Sequence, residues 1–283
     1  MSAIKKGYTA HFILLSLLFV LGNACITAPA KIADEYNFLA FLAAFVITVA
    51  AGFCAYFIPV NKITLLPIWL LGLYCTADAF ITFAVFIGQN LLPNSPRFLI
   101  ILPLAVLLGY MAFLKGNAIL KFSLISGVFS LAVIVFFFCS TAKNFNIKNI
   151  FIYSLPNATN FCEQIIPYFK SLLLPALLLA IFARLEDMKK SALITGLSLG
   201  LLCFGLCILN SVLLFGIKLS SALDYPYSAA GSVVTYGYLF TRLDGFLYFV
   251  YLATTVVKCA VGILVIKKSR KKMGDVLSGE FML

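Results

Sequence analysis

Long apolar runs, separated by short polar connections, make up most of the chain. Most of the runs are about 20 residues long, enough for a helix to cross the ~30 Å hydrocarbon core of a bilayer. The longest polar connection, about 141–163, is too short for a soluble domain. The pattern therefore predicts an all-α polytopic membrane protein in which residues 1–283 form a single transmembrane domain. Eight spans are predicted, at about 10–30, 37–58, 63–88, 97–114, 120–139, 165–183, 191–217 and 244–266.

The last apolar stretch runs from Tyr225 to Ile266 and is too long for one membrane helix. At 1.5 Å per residue it would extend about 60 Å, twice the thickness of the hydrocarbon core. We therefore divide it into a polar and aromatic segment at one face of the bilayer and a span that begins near Asp244. The basic segment 267–272 follows the span directly and indicates a cytoplasmic end.

Composition excludes a soluble globular protein, because 63% of the residues are hydrophobic and only 11% are charged. The net charge of +11 does not indicate nucleic acid as a partner, since the charges lie between the apolar runs. The eight cysteines form no disulfide or zinc pattern. No nucleotide-binding loop, nucleophile elbow or metal-binding motif occurs, so we expect neither an enzyme nor a cofactor or metal site.

The distribution of Lys and Arg predicts the topology. With the N-terminus inside, thirteen of the 21 basic residues fall on the cytoplasmic side and seven on the outer side, with Lys258 inside the membrane. An excess of Lys and Arg is typical of cytoplasmic connections. Both termini are therefore expected in the cytoplasm, as an even number of spans requires.

Asp78 is predicted deep in the third span, with Tyr74 and Thr82 one turn away on the same helix face. A carboxylate at mid-bilayer costs roughly 2.5–3.5 kcal/mol, so it is expected to face a cavity or a partner. One interpretation is a binding site for a substrate or a coupling ion. The other is a neutral aspartic acid whose hydrogen bonds lock two helices together.

Lys258 is the second charged residue within a span, and Thr254 precedes it by one turn. Counting from the predicted cytoplasmic edges places Lys258 about 12 Å deep and Asp78 about 22 Å deep. A lysine can extend its ammonium toward the interface only part of that distance, which favours a position facing the bundle. A lysine that extends to the membrane surface is the alternative. If both residues face the cavity, we expect them to compensate each other's charge and to meet opposite ends of a ligand.

Two spans contain residues that interrupt helices. Gly22-Asn23-Ala24 lies within the first span and Pro175 within the sixth. Discontinuous membrane helices expose backbone groups that can bind ions or carboxylates, which makes these segments candidate binding elements. The pairs Gly196/Gly200 and Ser126/Ser130 indicate close helix packing instead. Arg242 and Asp244 are two residues apart, so they point to different faces of a helix and are interpreted as interfacial anchors.

Four short motifs in this order resemble those of the spore germination permease-like family, the B subunit of germinant receptors, within the amino acid–polyamine–organocation superfamily. The first, in helix one, runs from a glycine to a proline. The second is a Leu-Pro motif with a further proline, in which Pro93 and Pro96 match. The third is a turn led by Gly116. The fourth pairs Pro226 with the Phe-x-Arg-Leu-Asp signature that contains Arg242 and Asp244. The segments are 22–29, 91–96, 116–122, 225–226 and 240–244.

The resemblance implies a five-plus-five inverted-repeat transporter fold of ten helices. Eight are predicted here, so a truncated form of that fold is expected. It also implies a receptor subunit in the spore inner membrane, a bacterial cytoplasmic membrane, that acts with other germinant receptor subunits. The implied ligand is a small nutrient such as an amino acid, bound between the broken first and sixth helices with the third and eighth alongside. The candidate ligand-binding residues are Gly22, Asn23, Ala24, Tyr74, Asp78, Thr82, Pro175, Thr254 and Lys258.

Two other functions remain open from the sequence. The chain could be an autonomous secondary transporter of amino acids or cations. It could also be a structural membrane subunit that binds no ligand.

Overall fold

The computed structural model describes residues 8–27, 37–150, 165–166, 168–233 and 244–277, and these residues form helices and short connections without any strand. A π-helical turn, Phe169–Leu173, directly precedes α6, and two short 3-10 turns follow α5. The helices are α1 Thr9–Thr27, α2 Asn37–Tyr56, α3 Lys62–Asn90, α4 Arg97–Phe113, α5 Gly116–Thr141, α6 Leu174–Leu185, α7 Lys190–Ala222, α8 Pro226–Val233 and α9 Asp244–Leu277.

Four helices of the described part are long and apolar enough to cross a membrane: residues 63–90, 116–144, 190–217 and 244–273. Four shorter apolar helices accompany them, at residues 9–22, 40–56, 97–113 and 171–185. This composition is that of a helical membrane protein.

The outer surface of the bundle is apolar, in contrast to that of a soluble protein. Ile63 and Phe113 are 87% exposed and Ile125 is 75% exposed, and many other large hydrophobic side chains of α2, α3, α4 and α5 are exposed with them. Such an extended apolar surface is stable in hydrocarbon and costly in water. The inner faces of the helices meet in one hydrophobic core.

The central element of the bundle is α9, which packs against α1, α3, α4, α5, α6 and α8. Most of its side chains from Leu247 to Val265 are buried, including the bulky Tyr251. The helix does not end with the apolar segment near Ile266, as the predicted span did, but continues to Leu277. The basic residues 267–272 therefore lie on a helix, because Lys and Arg are good helix formers and residues 263–273 contain no glycine or proline.

Glycines bring α1 and α7 into close contact, as the small-residue spacing predicts. A Cβ atom on Gly196 would lie 2.4 Å from Cβ of Ser16, and one on Gly200 would lie 2.9 Å from Cβ of Val20. The contacts advance along both helices in the same direction, so α1 and α7 run parallel. On α5, Gly127 meets Leu14 of α1 in the same manner.

Polar contacts join α2, α6 and α9 at the end of the bundle where α6 terminates. The Arg184 guanidinium donates hydrogen bonds to the carbonyl oxygens of Tyr56 (3.1 Å) and Ile58, which terminate α2. The Lys268 ammonium lies 2.6 Å from the Glu186 carboxylate and so connects α9 to the same segment. Lys268 also donates to the Leu185 carbonyl oxygen at 3.3 Å, so the Arg184 and Lys268 donors both satisfy backbone carbonyls that helix ends leave without partners.

Candidate functional site

The first helix is interrupted at Gly22, as its sequence predicts. Gly22 has non-helical torsion angles (φ −13°, ψ −127°), and the helical path resumes after it to Thr27. Asn23 and Ala24 belong to this second part of α1, and their side chains lie outside the described part of the structure. A helix that ends at Gly22 leaves its last backbone carbonyls without the N–H groups that the next turn would supply. The interruption therefore frees backbone groups in the interior of the bundle.

Lys258 of α9 lies against this interruption. A Cβ atom placed on Gly22 would be 2.1 Å from Cε and 2.6 Å from Nζ of Lys258. Only 2% of the lysine is exposed, so it faces the bundle and does not extend to the surface. The absence of a side chain at Gly22 thus makes room for the lysine, and the two candidate elements form one site.

Two hydroxyl groups occupy the turn before the lysine. Thr254 and Thr255 are buried, and each donates a hydrogen bond to the Tyr251 carbonyl oxygen, at 2.9 and 2.8 Å. A hydroxyl that has donated its proton keeps lone pairs that can accept hydrogen bonds. This turn of α9, which precedes Lys258, therefore carries hydroxyl oxygens that can still accept hydrogen bonds.

Close packing between α3 and α9 determines how the two charged residues are placed. A Cβ atom on Gly262 would lie 3.1 Å from the Gly72 carbonyl oxygen, and the Cys259 thiol lies 3.8 Å from the Thr76 carbonyl oxygen. As the residue number rises along α3, the contacting residue number falls along α9. The two helices are therefore antiparallel.

This register places Asp78 and Lys258 at nearly the same height. Asp78 lies two residues beyond Thr76, and Lys258 lies one residue from Cys259 in the same direction, a difference of about 1.5 Å along the axes. The offset of about 10 Å inferred from span edges is wrong, because α9 continues past its apolar segment and span edges do not define contacts between helices.

The predicted stripe of α3 lies at the margin of the buried face. Asp78 and Thr82 are half-buried, and Tyr74 is 37% exposed. Cys75 and Ala79 occupy the buried face itself. Asp78 is thus more buried than Tyr74, and both flank the buried face of α3.

The sixth helix differs from the predicted break. Pro175 is buried in the first turn of α6, where its missing N–H breaks no helical hydrogen bond. The irregularity precedes it, as the π-helical turn Phe169–Leu173. The chain at Pro175 is therefore wound as a helix, and the site has one strongly interrupted element, α1.

Two buried polar residues were not predicted as binding groups: Ser130 of α5 was interpreted as a helix-packing position, and Asn210 of α7 was not singled out. Asn210 and Ser130 are fully buried, and neither the Asn210 amide nor the Ser130 hydroxyl has a hydrogen-bond partner in the described part of the chain. Ser130 lies one turn after Gly127, which packs against Leu14 of α1. Asn210 lies ten residues after Gly200 on the parallel helix α7, about 10 Å beyond the level of Gly22. The signal was an amide within an apolar span, since such a group requires a partner.

The remaining motif residues lie in turns or at the starts of helices. Pro93 and Pro96 lie in the exposed turn between α3 and α4, and Pro226 begins α8. Gly116 begins α5 next to the Glu186 carboxylate, which would be 3.2 Å from an added Cβ.

The Arg-Leu-Asp signature is described only in part. Asp244 begins α9 and accepts a hydrogen bond from the Tyr248 hydroxyl at 3.3 Å. A carboxylate at a helix start is favourable to the helix dipole. Arg242 lies outside the described residues.

An apolar cavity of about 430 Å³ lies between α4, α5 and α9. Its lining includes Leu107, Met111, Ile119, Phe122, Phe249 and Val257, with only the Tyr110 hydroxyl as a polar side-chain group. Hydrocarbon fits such a lining better than a zwitterion does. The candidate site is therefore the polar region at the α1 interruption.

The fold and these polar groups together define a helical membrane protein with a lysine buried at an interrupted helix. No protein-family model matches the chain, and no curated protein matches it.

Proposed function

We propose that this chain is the membrane subunit of a nutrient receptor, of the type that triggers spore germination, and that it binds a small nutrient such as an amino acid at the α1 interruption. The observation that carries the proposal is the contact of the buried Lys258 side chain with Gly22, with Asp78 at the same height on α3. Asp78 and Lys258 have opposite charges and lie on two helices that pack against each other. Such a pair suits the ammonium and carboxylate groups of a zwitterion.

A neighbouring helix supplies a neutral group that suits a polar ligand. Ser130 of α5, one turn after the glycine that packs on α1, offers a buried hydroxyl without a hydrogen-bond partner among the described residues. A buried polar group without a partner costs about 1–3 kcal/mol, and a ligand that hydrogen-bonds to it recovers this energy. This feature favours a polar ligand over an apolar one.

The proposed arrangement in the membrane has eight spans with both termini on the cytoplasmic side, packed in a manner similar to the five-plus-five repeat. The four long and four shorter apolar helices support eight crossings. The bias of Lys and Arg supports the orientation. The other receptor subunits are the proposed partners that read the state of this chain.

A receptor of this kind must bind the nutrient with different affinities in two conformations, because equal affinities shift no equilibrium. An autonomous transporter of amino acids or cations is the second candidate function. It is favoured by a second break, at Gly216 of α7, where φ is +74°. Paired discontinuous helices are typical of secondary transporters.

Purified protein in liposomes separates these functions. Saturable binding of one of a panel of labelled amino acids, without counterflow of label, supports the receptor. Counterflow in the absence of partner subunits supports the transporter. If no amino acid binds, the chain is a structural subunit and the proposal is wrong. Lys258→Met serves as the control in each assay, since it keeps the length of the side chain and removes the charge.

A further inference from the structure

We propose that the cavity between α4, α5 and α9 binds an anionic phospholipid, with one acyl chain in the cavity and the phosphate group against Lys115 and Lys121. This inference goes beyond the proposed function and does not depend on it. The lipid belongs to the leaflet at the end of the bundle where α4 ends and α5 begins, which is the cytoplasmic leaflet in the proposed orientation.

The cavity exists because α4 and α5 diverge. Both helices pack against α9, but they make little direct contact with each other beyond the turn 114–115 that joins them. The walls are open to the surroundings of the bundle, since Phe249 is 43% exposed and Phe122 is 41% exposed. The cavity is therefore accessible to lipid from within the bilayer.

The depth of the cavity matches one leaflet. Helices α5 and α9 are antiparallel, because Gly116 lies beside Leu264 whereas the Phe129 ring contacts the Phe249 ring, with 4.8 Å between centroids. The lining on α9 extends from Phe249 to Ala260, about 16 Å along the helix, or about half of the ~30 Å hydrocarbon core. The Phe129–Phe249 pair thus marks the end of the cavity near the middle of the membrane.

The width of the cavity favours a hydrocarbon chain over a helix. A volume of about 430 Å³ over a depth of about 16 Å corresponds to a cross-section of about 26 Å². A helix with its side chains is at least about 10 Å across, so its cross-section is about 80 Å². The cavity is too narrow for a helix of a partner subunit or of a second copy and suits one extended acyl chain.

The polar groups of this region lie at the end of the cavity that an acyl chain would enter from the headgroups. The Tyr110 hydroxyl is one turn before Leu114, and tyrosine is enriched at the level of lipid headgroups. Lys115 follows the lining residue Leu114 directly. Lys121 lies one turn after the lining residue Ala118 and on the same helix face. Both lysines are exposed, so their ammonium groups can reach a phosphate at the mouth of the cavity.

The two lysines favour an anionic headgroup over a neutral one. Basic groups beside a groove between membrane helices are typical binding positions for acidic lipid headgroups. The Glu186 carboxylate, which lies near Gly116 at the start of α5, is paired with Lys268 at 2.6 Å. Its charge is therefore compensated by Lys268, and Lys115 and Lys121 retain their attraction for a phosphate.

Photocrosslinking in vesicles tests the proposal. The full-length chain is reconstituted in phosphatidylcholine that contains a small fraction of phosphatidylglycerol with a photoactivatable group near the end of one acyl chain, and the labelled residues are identified by mass spectrometry. Phosphatidylcholine with the same group serves as the neutral probe. We expect saturable labelling by phosphatidylglycerol, concentrated at Phe122, Phe249 and Leu252, with a yield at least about tenfold above that of the neutral probe.

Lys115→Gln combined with Lys121→Gln should reduce the labelling by phosphatidylglycerol at these residues at least about tenfold, since the attraction of each lysine is equivalent to about fivefold in affinity. Labelling by the neutral probe should not change. Lys143→Gln combined with Lys148→Gln is the matched control, because it removes two exposed lysines that follow the other end of α5.

Ala118→Trp should reduce the labelling by both probes, because an indole at this exposed lining position fills the mouth of the cavity. Ala105→Trp is the control, since Ala105 is exposed on α4 and does not line the cavity. If any of these variants fails to accumulate, the labelling map of the wild type decides the question by itself.

Labelling spread over the exposed apolar faces without saturation would overturn the proposal, because it would show only the general contact of membrane helices with lipid. Equal labelling by the two probes would also overturn it, since the lysines would then select no headgroup. Crosslinks between two copies of the chain at Phe249, in place of lipid labelling, would assign the cavity to a second copy. None of these outcomes depends on whether a nutrient binds.

Discussion

The Thr76 hydroxyl of α3 occupies the space that a side chain at Gly262 of α9 would fill, since a Cβ atom there would lie 2.0 Å from the hydroxyl oxygen. The hydroxyl is held in place by donation to the Gly72 carbonyl oxygen at 2.8 Å. This contact keeps the two helices in the register that brings Asp78 level with Lys258. The packing of two small positions thus determines the electrostatics of the site.

Gly262→Ala should therefore destabilise the protein. The added methyl group meets both the Thr76 oxygen and the Gly72 backbone, and overpacking of this kind typically costs about 1–3 kcal/mol. The melting temperature in detergent measures the loss. Gly245→Ala on the same helix is the control, because nothing lies within 4 Å of its added Cβ. Equal effects of the two substitutions would show that the contact does not constrain the helices.

Gly22→Ala should impair ligand binding while the protein still folds and inserts. The atoms that its Cβ would meet belong to the flexible end of Lys258, which can move aside, so the ammonium is displaced from the break and the backbone is not. We expect nutrient affinity to fall about tenfold or more, equivalent to about 1.4 kcal/mol. Gly22→Leu should abolish the nutrient response while insertion persists.

Gly109→Ala is the matched control for Gly22→Ala, since the added Cβ has no neighbour within 4 Å. Membrane abundance and the nutrient dose–response are measured for all three variants. An unchanged dose–response in Gly22→Leu would reduce the interruption to an ordinary irregularity of the helix.

Asp78→Asn and Lys258→Met should show strong coupling in a double-mutant cycle. Each single change leaves one charge in a poorly solvated region without its counterpart, and the double change removes both. We expect the double variant to lose less than the sum of the single losses, by about 0.5–3 kcal/mol in stability. Strict additivity in membrane abundance and in melting temperature would show that the two residues act independently.

Arg184→Met should destabilise the protein more than Glu186→Gln does. Arg184 donates to two carbonyls at the end of α2, and hydrogen bonds from a charged group contribute about 1.5–3 kcal/mol each. The pair between Glu186 and Lys268 is partly exposed, and such pairs contribute about 1 kcal/mol or less. Thermal unfolding of both variants in detergent tests this order. The reverse order would show that the ion pair, and not the capped helix end, holds this part of the bundle.

Cysteine-accessibility labelling should find positions 2 and 278 on the same, cytoplasmic side of the membrane. The reason is the excess of Lys and Arg on that side together with an even number of spans. The labelled variants are Ser2→Cys and Ser278→Cys, compared in intact cells and in inverted vesicles. Opposite accessibility of the two positions would exclude eight spans.

Local patterns predicted the individual helices and the break at Gly22, because apolar run length and glycine act within a single segment. The burial of Lys258 also followed from its depth, which is a property of one helix. The height of Asp78 relative to Lys258 could not be obtained in this way. It depends on how α3 and α9 pack together at Thr76 and Gly262. The sequence of either helix alone does not determine the register of that contact.

The irregular turn before Pro175 and the buried Asn210 show the same limit. A proline indicates that a helix hydrogen bond is missing, but it does not indicate whether the chain responds by unwinding or by starting a new helix at that point. An amide in an apolar span indicates that a partner is needed. Which groups lie near the Asn210 amide depends on how α7 packs against the other helices, and the sequence of α7 alone does not determine this packing.

The uninterrupted course of α9 has a mechanical consequence. The described torsion angles contain no break between Lys258 and Lys268, which are ten residues or about 15 Å apart on one helix. A helix without a kink transmits an axial shift or rotation along its whole length, because its hydrogen bonds resist compression. In the proposed receptor, a nutrient that shifted the α9 backbone at Lys258 would therefore also move its basic end, where a partner subunit could detect the shift without contacting the nutrient.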